Sequence, residues 1–389
     1  MDETDILIAG AGLAGLACAC AMAEGGRRVT VVDPAPAETG GAAGGEEDWR
    51  STAFLQPARD LLEAAGVWPL LGGDPAPLAE MRALDLRTGR VAPFAAAEIS
   101  DRPFGWNVLN WRMRAALLER TRALPGVEIR AGAGVRDVLA RTGEAIVTLE
   151  GGARVRARLL VGADGKGSAV RRALGIAAPT LRTGQTAISF AVAHAGPHGA
   201  VSTEVYDEGG PLVLVPLPDG EAGAHRSAAV WMQRGPEAAR LMALDDAAFA
   251  AAATARSGGV LGDLALAAPR MAWPVVTRMA ARFAGPSTAL IAEAAHAVPP
   301  IGAQGLNMSL ADVAALRDVS AGEALGTEGA LRAYERRRMP DVAARIAAVT
   351  MLGAAAMGGP LAAPRAAALG VLSRAPALRR GLMRAGLGG

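Results

Sequence analysis

Hydrophobic and polar positions along the chain fall into three patterns. The first begins with "DILIAG" (5–10), a continuous apolar run of strand length. It turns into the Ala/Leu-rich "AGLAGLACACAMAEGG", stopped by Gly25-Gly26, and then into a second buried-strand run, "RRVTVVD" (27–33). Continuous apolar strands on either side of a helix predict a βαβ unit in a parallel sheet. A second strand-to-helix passage is "RARLLVGADGKGSAVRRALGI" (156–176). Between 177 and 284 the runs shorten: "TAISFAVAHA", "STEVYDEGGPLVLVPLPDG" and "HRSAAVWMQRG" are separated by Pro, Gly and Asp turns. They predict antiparallel strands accompanied by a helix at "ALDDAAFAAAATARS". From 307 onward the pattern is helical, and Pro340 is expected to kink or divide "LRAYERRRMPDVAARIAAVTML" (331–352).

The first βαβ unit carries candidate chemistry. Gly10, Gly12 and Gly15 occupy the G-x-G-x-x-G positions, with Leu13 and Ala14 between, and Asp33 ends the second strand 18 residues after Gly15. Gly10 suits the tight turn, Gly12 lets backbone approach a pyrophosphate, and Gly15 lets the helix lie close on the strand. The helix start offers free N–H groups and the positive dipole end to the phosphates, and Asp33 suits both ribose hydroxyls of an adenosine. The motif alone does not choose between NAD and FAD. The long polar, Gly-rich loop at 34–52, where a dehydrogenase would continue with further βαβ units, disfavours a plain dehydrogenase domain. Asp164 and Gly165 follow the strand of the second passage, where the carboxylate would cap the next helix or order the loop beside a phosphate.

Composition narrows the field. The 389 residues are 51% hydrophobic and carry a net charge of +2, enough for a large core and no argument for nucleic acid. Cys18 and Cys20, two apart on a helix, read as buried thiols rather than a metal or redox pair. His194, His198 and His225 have no metal-ligand spacing, so the sequence supports no metal site, and no Ser-His-Asp pattern appears. The acidic "MDETD" start argues against a signal peptide, and the uncharged 346–364 stretch is weakly hydrophobic and broken by Gly-Gly-Pro. A cytoplasmic protein without a spanning segment is expected. Residues 351–389 hold Arg365, Arg374, Arg379, Arg380 and Arg384 and no acid, a local charge of +5. That region suits either anionic lipid at the inner membrane or packing on its own protein.

The third motif, "AEAAHAVPPIGAQGLNMSLAD" (292–312), completes a set. G-x-G-x-x-G with its strand-ending acid, then "GADGKGSAVR", then this segment, resembles the single-component FAD-dependent aromatic hydroxylases, most closely the ubiquinone-biosynthesis branch. The resemblance spans nearly the whole chain. It implies an α/β fold: a Rossmann-type FAD-binding domain, an inserted antiparallel β-sheet substrate domain roofing the flavin, and a helical C-terminal region. The boundaries read as 1–176 with a small insert at about 75–105, then 177–284, 285–345 and 346–389.

The resemblance also implies residue roles. Glu293 stands where the family has an aspartate contacting the ribityl chain, with Ala292 in place of a glycine. Pro300, Gly302, Gly305, Leu306 and Asn307 match the loop and helix start beside the isoalloxazine ring, where N–H groups stabilise negative charge on reduced flavin. His296 is expected to order this loop rather than serve as a base. Arg50 stands where the family has an arginine near the flavin or its phosphates. The helix that usually offers FAD an arginine begins within 106–121; Asn110 or Trp111 falls at that spot, with Arg112 and Arg114 beside it.

FAD would be the cofactor, NAD(P)H a transient reductant without its own G-x-G-x-x-G, O2 the oxidant and a polyprenylated phenol the favoured substrate. A soluble aromatic, a prenyl chain, or a non-catalytic flavin-binding scaffold remain open alternatives.

Overall fold

A computed structural model describes residues 1–23, 25–35, 49–220, 223–357 and 362–387. Most of the Gly-rich loop expected at 34–52, from 36 to 48, lies outside them.

The first sheet is built on parallel strands in the order Thr288–Leu290, Arg154–Gly162, Asp2–Ala9, Val29–Asp33 and Val127–Ala131. Val135–Arg141 and Glu144–Leu149 extend it antiparallel beside Arg154–Gly162. Helix Leu13–Met22 is buried at every residue after Leu13, between helices Asn110–Ala123 and Gln304–Val319. Small side chains make that possible: Ala, Gly and Cys let three helices approach closely, and an all-apolar helix is stable only when surrounded. Within it, burial and the neighbouring Cys20 push the Cys18 thiol up to about 12, so it is inert as a nucleophile.

The second sheet runs His296–Ala297, Met271–Met279, Thr180–His194, His225–Arg234, Leu212–Pro216, Val201–Tyr206, Glu80–Asp85 and Arg90–Ala95. The antiparallel sheet expected at 177–284 is there, but the 75–105 insert is not separate from it. Glu80–Asp85 pairs parallel with Val201–Tyr206, so the insert supplies two strands of this same sheet. Pairing across 120 residues leaves no local pattern in the sequence. A Phe190–Phe249 edge-to-face pair, with centroids 4.9 Å apart, anchors helix Asp246–Ser257 on this sheet.

Pro340 does not divide its helix, which runs uninterrupted over Glu328–Ala356 and across the expected boundary at 345. Arg338 and Val342, on either side of the proline, are both held in the interior. By length and composition alone this helix could cross a membrane. Its first half nevertheless packs on the first sheet, where the Tyr334 hydroxyl donates to Leu290 O at 2.8 Å.

The C-terminal helices Ala362–Arg374 and Pro376–Leu387 dock on the 75–105 strands. Buried Arg365 meets buried Asp85 at 2.9 Å, Arg379 meets Glu98 at 2.8 Å, and Arg90 Nη1 donates to Ala366 O at 2.8 Å.

Candidate active site

The three motifs meet because their strands are neighbours. Ala9 pairs with Gly162 and Gly162 with Leu290, so Gly10, Asp164 and Glu293 all leave the carboxyl edge of three adjacent parallel strands. Crevices at such edges are where open α/β sheets bind ligands.

At the adenosine end, Gly10 has φ +106°, and a Cβ there would lie 2.4 Å from Ala163 O. A Cβ on Gly15 would lie 1.9 Å from Gly10 O, so helix and turn are in direct contact, as the spacing predicts. Gly12, by contrast, faces open space and precedes the helix start at Leu13-Ala14, the cradle a pyrophosphate requires. Asp33 Oδ2 accepts from Ala11 N at 2.6 Å and Oδ1 from Ala35 N at 2.8 Å, which fixes the carboxylate at the crevice wall. Arg114 donates to Ala11 O and so joins the glycine turn. Burial lowers its pKa and nearby Asp33 opposes that shift. Among the residues weighed in 106–121, Arg114 is thus at the turn, whereas Arg112 lies over the Trp111 ring at 5.4 Å. Asn110 Oδ1 accepts from the Thr52 hydroxyl at 2.8 Å, and its N–H donates to the carbonyl of Arg50, an exposed residue.

Asp164 sits between the two ends. Oδ2 caps the short helix Ala169–Ala173, accepting from Ala169 N at 2.7 Å and Val170 N at 3.1 Å. Oδ1 is buried with no partner in the protein, an acceptor that awaits a ligand donor. Gly165 follows at φ +76°, where a side chain would be strained. These features fit FAD: an open cradle, a placed carboxylate at each turn and an orphaned buried oxygen.

On the flavin side, Gly302 (φ +63°) and Ala303 (φ +55°) are both left-handed and deliver the chain into helix Gln304–Val319. Gly305, in its first turn, is exposed and a Cβ there meets nothing within 4 Å. Pro300 precedes the loop and is half-buried, as are Leu306 and Asn307. The Asn307 amide is already occupied: Leu55 N donates to Oδ1 at 2.9 Å, and Nδ2 donates to Ala53 O at 2.8 Å and Ala303 O at 2.6 Å. It clamps the loop to strand Ser51–Leu55. Glu293 is exposed and pairs with Lys166 Nζ at 3.4 Å, linking the second and third motifs across the crevice. Ala292, which replaces the family's glycine, keeps the left-handed backbone at φ +55°.

His296 belongs beneath the loop. Its ring is buried, with Nε2 2.7 Å from Asp312 Oδ2, while Asp312 Oδ1 accepts from Arg338 Nε at 2.7 Å. With its ring buried against Asp312, His296 is placed to order the loop that carries Pro300 and Gly302. Sequence reasoning missed Asp312 and Arg338, although an aspartate on an apolar Ala/Leu helix face was a signal. It also missed Arg171, whose Nη1 donates to Ala294 O at 2.7 Å and Nη2 to Lys166 O at 2.9 Å, tying the same two motifs.

The comparisons with known proteins agree with this geometry. Residues 3–349 match the family model described as "FAD binding domain". The chain is 35% identical over 391 residues to ubiquinone hydroxylase UbiL of Rhodospirillum rubrum, covering 99% of this chain and 89% of that protein. It is 30% identical over 349 residues to 3-demethoxyubiquinol 3-hydroxylase of Escherichia coli, covering 87% and 86%. The chain belongs to the FAD-dependent aromatic hydroxylases. Its fold is that of p-nitrophenol 4-monooxygenase from Pseudomonas putida, with a TM-score of 0.80 at 18% identity over 100% of this chain and 99% of that one.

The hydroxylase is therefore an FAD-dependent monooxygenase that uses O2 on an aromatic substrate, with NAD(P)H as the family's usual reductant. Between the second sheet and strand Gly105–Leu109 of a separate three-stranded sheet, Leu109, Ala191, Leu217, Ala228 and Ala268 form an apolar layer against which Trp49 and Trp111 pack. Two buried polar atoms in this neighbourhood lack partners: Trp111 Nε1, a donor, and Asn107 Oδ1, an acceptor.

One cluster is not visible in residue spacing. His198, Asp219 and His225 present ligand atoms within 4.8 Å of one another, although 27 positions separate the two histidines. Strand pairing, which places His194 opposite His225, closes that gap.

Proposed function

We propose that this monooxygenase hydroxylates the ring of a polyprenylated phenol in ubiquinone biosynthesis. The observation that carries the reading is the apolar layer with the unpartnered Trp111 Nε1 and Asn107 Oδ1 beside it. Such a layer takes an apolar body, and the orphaned donor and acceptor fit a phenolic hydroxyl, the one polar handle of that substrate. The names of the relatives from Rhodospirillum rubrum and Escherichia coli point to the same chemical class.

In this reading Gly10, Gly12, Leu13, Ala14 and Gly15 hold the pyrophosphate, Asp33 and Arg114 the adenosine side, and Asp164 and Gly165 the joint. Arg50, Glu293, Pro300, Gly302, Gly305, Leu306 and Asn307 shape the flavin end. Bound FAD, reduced by NAD(P)H, supplies the oxygen-activating chemistry. The chain's own part is to orient the ring through Trp111 and Asn107, to exclude water with the apolar layer, and to aim the helix N-terminus at Gly305 toward developing negative charge.

Attachment to the inner membrane belongs to the same proposal. Arg365 and Arg379 are consumed by ion pairs, but Arg374, Arg380 and Arg384 are exposed beside exposed Val371, Leu378 and Leu382. Cations interleaved with apolar side chains suit an anionic lipid surface.

The test is turnover of a prenylated phenol by purified enzyme with FAD, NAD(P)H and ¹⁸O2. One labelled oxygen in the product is expected. Label from water, or a product gaining hydrogens at its prenyl double bonds, would reject the reading.

A further inference from the structure

Outside the crevice the strongest unassigned chemistry lies at one edge of the second sheet. Three histidines gather there, with ring centroids 6.3 Å (His194–His198), 6.2 Å (His194–His225) and 5.9 Å (His198–His225) apart. They do not play equal parts. His194 is satisfied: one ring nitrogen lies 2.8 Å from Gly196 O and the other 2.9 Å from the Ser227 hydroxyl. The other two converge on a single carboxylate oxygen. Asp219 Oδ1 lies 3.0 Å from His225 Nδ1 and 3.5 Å from His198 Nε2. His198 Nε2 is buried and makes no hydrogen bond, so a buried ring nitrogen is aimed at the carboxylate without a partner.

We propose that His198, Asp219 and His225 form a site for one divalent transition-metal ion of the zinc class, bracing Asp219, just beyond strand Leu212–Pro216, and the start of strand His225–Arg234 against the turn after His194. Bonds of about 2.1 Å in a tetrahedral site separate neighbouring ligand atoms by about 3.4 Å. The observed 3.0 and 3.5 Å are close to that, and no pair among the three exceeds 4.8 Å. Two imidazoles and one carboxylate are borderline ligands, suited to zinc and not to magnesium, and they leave a fourth position for water.

Two contacts oppose uptake. Ala200 N donates to His198 Nδ1 at 3.2 Å, and ligation through Nε2 requires a proton on Nδ1 instead. That long contact would be given up. Ala200 holds a left-handed backbone at φ +59°, so a shift of this turn also relieves strain. His225 Nδ1 donates to Asp219 Oδ1 at 3.0 Å, so the metal would replace that bond and the ring proton would move to Nε2.

The brace would act on the substrate layer. Leu217, two residues before Asp219, belongs to it, and Asn107 Nδ2 donates to Pro216 O at 2.8 Å at the end of strand Leu212–Pro216.

Tag-free, FAD-loaded enzyme is stripped with EDTA, desalted and titrated with zinc chloride in competition with a chromogenic chelator. One zinc per chain and a rise in Tm are expected, with no shift from magnesium chloride. His198→Gln, Asp219→Asn and His225→Asn should each weaken zinc binding at least tenfold while flavin absorbance stays native. The absence of a saturable site in the wild-type enzyme, or undiminished affinity in the variants that retain flavin, overturns the assignment. None of these readouts depends on hydroxylation, so the outcome is independent of the proposed substrate.

Discussion

His296 Nε2 lies 2.7 Å from Asp312 Oδ2, and both side chains are withdrawn from solvent. The same carboxylate accepts from Ala292 N at 3.0 Å and, through Oδ1, from Arg338. One buried charge thus fastens the segment carrying Glu293, the histidine before the flavin-side loop, and the long C-terminal helix. Burial pushes the Asp312 carboxyl up, but His296 and Arg338 outweigh it and hold it below the usual carboxylate range.

The Asp312→Asn protein should lose about 3–5 kcal/mol, the scale for breaking a buried charged network. The wild type should also show a pH dependence that the variant lacks. As pH falls, the unfolded chain protonates this carboxyl first, near pH ~3.9, whereas the folded chain resists. Its stabilisation is therefore full above about pH 4 and disappears as pH falls through the depressed folded value. Urea midpoints recorded between neutral pH and pH ~3 measure this. For His296→Asn, stability and FAD affinity should drop while the pH profile of kcat keeps its shape. A lost limb in that profile would make the histidine an acid or base.

Asp33 holds the turn and, in the proposed function, also meets the ribose. Asp33→Ala removes acceptors from Ala11 N and Ala35 N, together with the charged hydrogen bond proposed to the cofactor. At about 1.5–3 kcal/mol per charged hydrogen bond, FAD affinity should fall at least tenfold. Flavin fluorescence titration is the measurement, and unchanged affinity would place the adenosine elsewhere.

Two glycines should respond oppositely. Gly15→Ala puts a Cβ 1.9 Å from Gly10 O and should destabilise the apoprotein by about 3 kcal/mol or more. At Gly305 an added Cβ meets no atom within 4 Å outside its own helix, and Gly305→Leu improves helix propensity, so the apoprotein should melt no lower than wild type. FAD binding or product formation should nevertheless collapse, because in the proposed function the added side chain occupies the flavin's space. Melting curves set beside flavin content separate the two cases.

Trp111→Phe keeps the aromatic body and deletes only the donor. A neutral hydrogen bond contributes about 0.5–1.5 kcal/mol, so kcat/KM for a phenol should fall by up to about tenfold. The fraction of NAD(P)H oxidised without product should rise as well. Equal coupling in both proteins would remove Trp111 from the substrate layer.

Co-sedimentation with vesicles tests the C-terminal surface. Each exposed arginine near an anionic bilayer is worth about 1 kcal/mol, so replacing Arg374, Arg380 and Arg384 by Gln together should weaken binding about 100-fold. Binding to neutral vesicles should be weak for both proteins. Replacing Arg379 should instead loosen helix Pro376–Leu387, because its guanidinium is held by Glu98.

What the sequence determined by itself were the features set by nearest neighbours and fixed spacing. The Gly10–Gly15 turn, Asp33, Asp164-Gly165 and the loop from Pro300 to Asn307 are each defined within a few residues, because special backbone conformations and strand-to-helix passages are local events. Their order along the chain was enough for the fold class and the cofactor. Tertiary structure alone decided how distant segments meet. It brought the 75–105 strands into the second sheet, let packing on either side of Pro340 carry one helix through it, and set Asp312 between His296 and Arg338. It also turned histidines without metal-ligand spacing into one cluster. These outcomes depend on strand register and burial, which are properties of pairs of segments, and a pattern read along a single segment carries no record of its partner.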